Sequence, residues 1–178
     1  MRYSFPILFF FYFLVTSLLH GETLRLAKIF TDHAVLQRDM SVPVWGWAEP
    51  EVEVTVEFSS QKKRTTTDKS GRWMIRLDPM VANTKGKQLK VTAGGTSVIL
   101  KDILIGEVWL ASGQSNMGFS IPKSTYAEEA RKLIPHPTLR RFKVGPYIAD
   151  EPLADIGGDG SFQHSNWRRG DDGLWRIV

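Results

Sequence analysis

The sequence predicts an α+β fold in two parts, an N-terminal antiparallel β-sandwich followed by the first βαβ part of an incomplete α/β domain. Residues 23–101 alternate apolar and polar side chains with a period of two, which is typical of half-buried antiparallel strands. From Asp102 the pattern changes to a nearly continuous apolar run, and a helix pattern follows it. We therefore expect a sandwich domain over 22–101 and an unfinished α/β domain over 102–178.

The first 21 residues are predicted to be a secretory signal peptide. Arg2 precedes an apolar run over 6–19, and His20-Gly21-Glu22 provides a polar exit. This run is shorter than the about 20 residues that cross a bilayer as a helix, although a membrane anchor stays the alternative. We therefore expect a secreted or periplasmic protein that has no membrane attachment after cleavage of residues 1–21.

The composition indicates the compartment of the protein and the kind of partner that it does not bind. The chain has no cysteine, so an exported form would fold without disulfides, which favours a bacterial envelope or exterior. The formal net charge is +4, and the positive residues are scattered except for short runs. The longest run, over 62–64, lies beside a predicted strand and is interpreted as a solvated face or a guarded sheet edge. Nucleic acid is therefore not expected as a partner.

The first part contains the clearest strand patterns. Residues 51–58 place valines and a phenylalanine on one face and acidic or threonine side chains on the other. A turn at 68–71 leads into a second alternating run, and Gly94-Gly95 closes a hairpin. Strands are therefore expected over 24–30, 34–37, 42–47, 51–58, 72–77, 89–93 and 96–100, and this spacing favours a β-sandwich.

The second part begins like an α/β layer. Residues 103–110 read as a strand buried on both faces of a parallel sheet. A helix is expected over 125–134, because Thr125 and Glu128 form a capping box and Pro135 ends the run. A further strand is expected over 138–144. Residues 174–178 resemble a strand that stops in mid-course, so we interpret the chain as a truncated product.

A serine block follows the predicted buried strand. The residues Ser112-Gly113-Gln114-Ser115-Asn116 lie at a strand-to-helix turn, which lifts a hydroxyl out of the sheet at its carboxyl edge. Backbone N–H groups of such a turn can hold a developing oxyanion, and Gly113 permits a positive φ beside the nucleophile. The α/β-hydrolase pattern Gly-x-Ser-x-Gly does not fit, because Met117 stands where its second glycine belongs. From the residues alone, a polar loop that caps a helix stays the alternative.

The same block carries a family resemblance. Residues 106–117 read Gly-Glu-Val-Trp-Leu-Ala-Ser-Gly-Gln-Ser-Asn-Met, which resembles the opening block of bacterial sialate O-acetylesterases of the SGNH (GDSL-like) hydrolase superfamily. Residues 42–48 and 68–73 are similar to the β domain that precedes this block in those proteins. The resemblance extends over about residues 24–178, and it implies that the second part begins an SGNH α/β domain.

The resemblance implies a reaction and its residues. Ser115 would be the nucleophile toward the acetyl carbonyl of an O-acetylated carbohydrate such as a sialic acid, and its backbone N–H would donate to the oxyanion. Gln114 stands where the GDSL pattern has aspartate, so it could support the turn but could not act as an anionic partner. The family chemistry passes through an acetyl-serine intermediate and uses no cofactor and no metal.

The histidine base that the family requires is missing from this sequence. That base belongs to an Asp-x-x-His motif, and none of His33, His136 or His164 has aspartate three residues before it. His136 lies between two prolines and is expected in an exposed turn, and His164 is the only histidine considered as a substitute base. We therefore expect this polypeptide alone to be nearly inactive.

The alternative interpretation is an exported, non-catalytic β-sandwich that binds glycans or docks domains. This interpretation rests on the tryptophans. Trp45, Trp47 and Trp73 could line a sugar-stacking platform, although Trp73 is in phase with core residues and is expected to be buried. A third possibility is a structural module without a ligand. The acidic row Glu51, Glu53 and Glu57 is interpreted as a solvated strand face rather than a metal site.

Overall fold

The structure is a computed structural model that describes residues 24–113, 123–132, 136–144, 148–157 and 167–169. Its strands are β1 (Arg25–Leu26), β2 (Val35–Gln37), β3 (Val42–Trp47), β4 (Glu53–Phe58), β5 (Gln61–Thr66), β6 (Arg72–Leu77), β7 (Lys87–Ala93), β8 (Thr96–Gly106), β9 (Arg140–Phe142) and β10 (Trp167–Arg169). Its helix is α1 (Ala127–Lys132). The predicted signal peptide at 1–21 lies outside these residues.

Strands β1 to β8 form two sheets. One has three strands in the order β1-β3-β6, and the other has five in the order β2-β8-β7-β4-β5. All of these pairings are antiparallel except that of β2 with β8, which is parallel. The predominance of strands with a little helix agrees with the predicted α+β class.

The two sheets contribute to one hydrophobic core. Val54, Val56 and Phe58 of β4 are at most 1% exposed, as the period-two pattern predicts. Trp73 and Leu77 of β6 are buried in the same cluster, and so are β7 residues paired to β4. Fully burying one side chain of this size contributes about 2 kcal/mol, so this cluster is the main stabilising feature of the fold.

The predicted turns are present. The carboxylate of Asp68 accepts hydrogen bonds from the backbone N–H and the hydroxyl of Ser70, at 2.8 and 2.7 Å, and from the backbone N–H of Arg72 at 3.0 Å. Gly71 has a φ of +76°, the left-handed conformation that favours glycine. Gly94-Gly95 joins β7 to β8 as the hairpin pattern predicts.

The basic run at 62–64 lies on strand β5, whose partner among the described strands is β4. Its charges are matched by acidic residues: Lys62 pairs with Glu57, Lys63 with Asp78, and Arg64 with Glu53. This arrangement fits the expectation of a charged, guarded edge.

Strand β8 differs from the expected buried strand at 103–110. It runs without interruption from Thr96 through residue 101 and ends at Gly106. Ile103 and Ile105 join the core while Leu104 is buried on the opposite face, so two-sided burial explains the apolar run only as far as Ile105. Beyond it, Trp109 is 86% and Leu110 93% exposed, so the prediction of a buried strand through Leu110 was wrong. The domain boundary at 101/102 stays a prediction.

The elements after β8 are shorter than expected. Helix α1 begins at Ala127, two residues later than predicted, and Tyr126 from the predicted apolar face is 72% exposed. Strand β9 lies within the expected strand at 138–144 and pairs antiparallel with β10. The βαβ arrangement stays a prediction, and the strand expected at 174–178 lies outside the described residues. The one helix described is too short to cross a membrane.

Candidate functional site

The predicted nucleophile Ser115 and its neighbour Gln114 lie outside the described residues. The chain that leads to them is described as far as Gly113. It leaves β8 at Gly106 and continues over 107–113 without regular secondary structure. Gly113 has a φ of +155°, a value that glycine adopts more easily than other residues and that agrees with the predicted use of glycine here.

Gln37 holds the beginning of this segment. Gln37 is the last residue of β2 and pairs in parallel register with Gly106. Its side-chain oxygen accepts a hydrogen bond from the backbone N–H of Val108 at 2.9 Å, and its amide nitrogen donates to the Glu107 carboxylate at 3.2 Å. The backbone N–H of Arg38 donates to the Gly106 carbonyl oxygen at 2.9 Å. The end of β2 therefore fixes residues 106–108 to the five-stranded sheet.

A cluster of three charged or titratable side chains joins β8 to the chain around β9. The Asp102 carboxylate lies 2.7 Å from Nδ1 of His33 and 3.0 Å from the guanidinium of Arg140. Arg140 is almost fully buried, with a side chain 2% exposed, whereas His33 is 39% exposed. Because a buried guanidinium needs a compensating charge, the Asp102 carboxylate helps Arg140 to pack here.

The backbone is strained at this cluster. His33 has a φ of +67° and Asp102 a φ of +55°, conformations that cost about 1–2 kcal/mol in residues other than glycine. The register of β7 on β8 is irregular at Lys87–Leu89, which face Ile103 and Leu100 on either side of Asp102. The irregularity turns Asp102 toward His33 and Arg140 instead of into the ladder.

Residues 155–156 make a second attachment to the first part. Asp155 lies 3.6 Å from the Arg25 guanidinium and accepts a hydrogen bond from the backbone N–H of Lys28 at 2.9 Å. The Lys28 ammonium donates to the carbonyl oxygen of Ile156, also at 2.9 Å. Arg25 in turn stacks on Trp47, with its central carbon 3.7 Å from the ring centroid.

The tryptophans expected at a sugar platform are mostly covered. Trp73 is 4% exposed, which confirms its predicted place in the core. Trp47 is 8% exposed beneath Arg25. Trp45 is half-buried and meets Phe30 edge to face, with ring centroids 4.8 Å apart. A platform of three rings is therefore not formed, and Trp45 alone retains accessible surface.

The acidic row has cationic partners. Glu57 lies 3.0 Å from the Lys62 ammonium, and this hydrogen bond lowers the pKa of the Glu57 carboxyl. Glu53 lies 3.5 Å from Arg64, and Glu51 is exposed. Within the described part of the chain, no three acidic or histidine side chains are grouped so as to hold a metal ion. The row is a solvated strand face, as the sequence predicts.

The histidines differ in their surroundings. His136 is exposed beside a turn, as expected, and its Nδ1 lies 3.0 Å from the Thr138 hydroxyl. His164 lies outside the described residues. His33, which no sequence pattern singled out, is the one of the two described histidines that meets a carboxylate. Neither its contact with Asp102 nor that of Arg140 was expected, because each joins residues 38 or more positions apart.

Comparisons with known proteins identify relatives of one kind. No family model matches the chain. It is 32% identical over 149 residues to sialate O-acetylesterase of Rattus norvegicus and 31% identical over 150 residues to that of Homo sapiens. These alignments include 78% and 76% of this chain, which spans about 28% of the length of either relative.

One solved structure is similar along most of the chain. It is a carbohydrate acetylesterase from Xanthomonas citri, with a TM-score of 0.76 and 30% sequence identity. The match includes 86% of this chain and 34% of that protein. The sialate O-acetylesterases and the carbohydrate acetylesterase named here are all carboxylic ester hydrolases.

Proposed function

We propose that this chain, which is homologous to sialate O-acetylesterases over about three quarters of its length, carries the nucleophile of a secreted serine esterase. Its substrates would be O-acetylated carbohydrates, with sialic acids or related sugars as the leading class. The observation that carries the proposal is the identity of about 30% to sialate O-acetylesterases, together with the structural match to a carbohydrate acetylesterase.

Ser115 is the proposed nucleophile. Its hydroxyl oxygen attacks the acetyl carbonyl carbon while a base takes the hydroxyl proton, and the backbone N–H of Ser115 donates to the tetrahedral oxyanion. The sugar oxygen then leaves with a proton, and water hydrolyses the acetyl-serine intermediate to acetate and free serine. Gln114 supports the turn that presents the hydroxyl.

The base is the missing part of this scheme. The 178 residues contain no Asp-x-x-His sequence, and His33 faces Asp102 four residues before the end of β8 rather than the segment that leads to Ser115. Loss of the base alone can reduce turnover roughly a million-fold. We therefore expect residues 22–178 to hydrolyse p-nitrophenyl acetate no faster than their Ser115→Ala variant, and robust serine-dependent turnover would refute this.

Labelling with a fluorophosphonate tests whether Ser115 is activated. In the protein as its gene encodes it, mass spectrometry should find the probe on Ser115, and Ser115→Ala should abolish labelling. Ser112→Ala is the matched control, because Ser112 is an exposed serine three residues earlier. Labelling that persists in Ser115→Ala would remove the proposed nucleophile.

Export by residues 1–21 is also a proposal, and it rests on the charge and apolar pattern of the N-terminus. Edman sequencing of the protein recovered outside the cytoplasm should begin close to residue 22. A mature chain that retains Met1 would contradict it.

The glycan-binding alternative has less support than the esterase. Trp47 and Trp73 are covered, so stacking on the first part would rest on Trp45. Titration of Ser115→Ala with an O-acetylated sugar separates the two proposals, because a binding module loses affinity on Trp45→Ala whereas an esterase keeps it.

A further inference from the structure

We propose that Gln37 is a positioning residue for the nucleophile, an inference that rests on the proposed esterase function. Gln37 belongs to β2, 71 positions before Val108, and it does not itself reach the reacting atoms in this scheme. Its role would be to fix the direction in which the chain leaves the five-stranded sheet on its way to Ser115.

The contacts of the 107–113 segment lead to this role. Strand pairing with β2 ends at Gly106, and Trp109 and Leu110 are exposed. Among the described residues, Gln37 is the one side chain that hydrogen-bonds to residues 107–113. The segment therefore leaves the sheet with its first two residues, Glu107 and Val108, hydrogen-bonded to the amide group of Gln37.

The Gln37 side chain can hold Glu107 and Val108 in one defined orientation, and we call this arrangement the clamp. A primary amide has an acceptor oxygen and a donor nitrogen, and here the oxygen meets the Val108 N–H while the nitrogen meets the Glu107 carboxylate. The nitrogen also donates to the carbonyl oxygen of Arg38 at 3.2 Å. Because donor and acceptor ends are both used, the amide can hold the segment in only one orientation, and a carboxylate or an apolar side chain cannot replace it.

Precision at the nucleophile explains why such a clamp would matter for acyl transfer. A displacement of about 1 Å can cost on the order of a hundredfold in rate, since the hydroxyl, the acetyl carbon and the oxyanion donors must be aligned. Val108 precedes Ser115 by only seven residues in sequence, so we expect that a fixed chain direction at Val108 helps to align the nucleophile.

Gln61 provides a matched control. Its side chain also uses both ends, accepting from the backbone N–H of Asp78 at 2.7 Å and donating to the Asp78 carbonyl oxygen at 3.2 Å. Gln61 joins β5 to the end of β6, inside the first part and away from the 107–113 segment. Gln37→Leu and Gln61→Leu each remove an amide that is bonded at both ends, with three hydrogen bonds at Gln37 and two at Gln61, and they differ chiefly in what those bonds hold.

The first measurement is amide hydrogen exchange of the full chain. Gln37→Leu should raise the exchange rate of Val108 by on the order of tenfold and leave Asp78 unchanged, and Gln61→Leu should do the reverse. Unchanged exchange at Val108 in Gln37→Leu would overturn the clamp whether or not the protein is an esterase.

The second measurement is the rate of fluorophosphonate labelling of Ser115 in the protein as its gene encodes it. Gln37→Leu should lower the maximal labelling rate by on the order of tenfold or more without changing the probe concentration at half-maximal rate, whereas Gln61→Leu should change neither. Faster exchange at Val108 with an unchanged labelling rate would overturn the positioning role and leave the esterase proposal standing. Failure to label Ser115 even in the unmutated protein would overturn both.

Exchanging the side chains of Gln37 and Glu107 tests whether the clamp can be restored. Gln37→Glu alone places two carboxylates together and should slow labelling, as Gln37→Leu does. Adding Glu107→Gln restores one donor and one acceptor across the pair, so the double variant should recover most of the labelling rate. A double variant as slow as Gln37→Glu would contradict the clamp.

Discussion

The two regions on either side of Gly106 differ in how they use apolar side chains. Every core residue in the described part of the chain lies between Leu24 and Ile105. After Gly106 the described residues include eight exposed large apolar side chains, against four before it. The first region therefore has a core of its own. The second, as far as it is described, is attached through polar contacts, chiefly Arg140 on Asp102 and Asp155 on Arg25 and Lys28.

The contrast shows that a core strand can continue directly into a segment of similar apolar character that lies in a different packing environment. Strand β8 closes the core with Ile103 and Ile105, and the residues that resemble the esterase block begin at its last position, Gly106. Stability measurements should respond to changes before Gly106 far more than to changes after it.

The largest effect is expected from the core. Phe58 is 1% exposed, and Phe58→Ala should lower the free energy of unfolding by about 4 kcal/mol, because it removes a buried ring and leaves a cavity. Leu110 is 93% exposed, so Leu110→Ala should change this free energy by less than about 0.5 kcal/mol. Urea denaturation of the two variants measures both. A large loss in Leu110→Ala would show that residues after Gly106 are packed after all.

The next effect tests the attachment between the regions. Asp102→Ala leaves the buried Arg140 guanidinium without this carboxylate and should cost about 3 kcal/mol, with faster amide exchange over 140–142. Glu53→Ala is the control, because Glu53 and Arg64 are each 60% exposed, and such a pair contributes less than about 1 kcal/mol. Equal losses in the two variants would mean that Arg140 does not depend on Asp102.

An effect of similar size concerns the turn before β6. At Gly71, a Cβ atom would collide with the carbonyl oxygen of Ala48 in addition to requiring a positive φ. Gly94 also has a positive φ but has open space around the Cβ position. Gly71→Ala should therefore cost roughly 3 kcal/mol, and Gly94→Ala about 1 kcal/mol, in thermal denaturation. Similar losses would show that the turn can move away from Ala48.

The smallest effect is a pH dependence at Asp68. Its hydrogen bonds from Ser70 and Arg72 lower the pKa of the Asp68 carboxyl in the folded chain. The stabilisation is therefore present above the pKa of the unfolded chain and is lost as the pH falls below about 4, through the lower folded value. Asp68→Asn should flatten this part of the stability curve. Acid titrations of both proteins by circular dichroism measure it, and parallel curves would contradict the assigned bonds.

Local patterns predicted much of the first region. The strands at 53–58 and 72–77, the turn at 68–71 and the glycine hairpin lie where expected, because each is determined by neighbours in sequence. Burial alternates throughout 72–77 but not throughout 53–58, where Thr55 of the predicted polar face is buried. The burial of Trp73 follows from the same periodicity, whereas strand β5 was not among the predicted strands, because its polar residues show no apolar alternation. The burial of Leu104 on the face opposite Ile103 and Ile105 is also visible in the sequence, as a run of consecutive apolar residues.

Long-range contacts could not be predicted in the same way. The apolar run at 103–110 gives no sign that burial stops at Ile105, because Trp109 and Leu110 have the same apolar character as the residues before them. Arg140 reads as one of several scattered cations until Asp102 is placed beside it. Gln37 has no distinguishing sequence pattern either, since its partners Glu107 and Val108 lie about 70 positions away.

The continuity of β8 also affects how the molecule can be divided. A cut at residue 101 would split an 11-residue strand, leaving one fragment without Ile103 and Ile105 and the other with their apolar side chains uncovered. If the two fragments on either side of residue 101 are expressed separately or recombined with other sequences, we expect both to aggregate. Any exchange between relatives of the residues that follow this strand would need to keep the strand whole and join the sequences after Gly106.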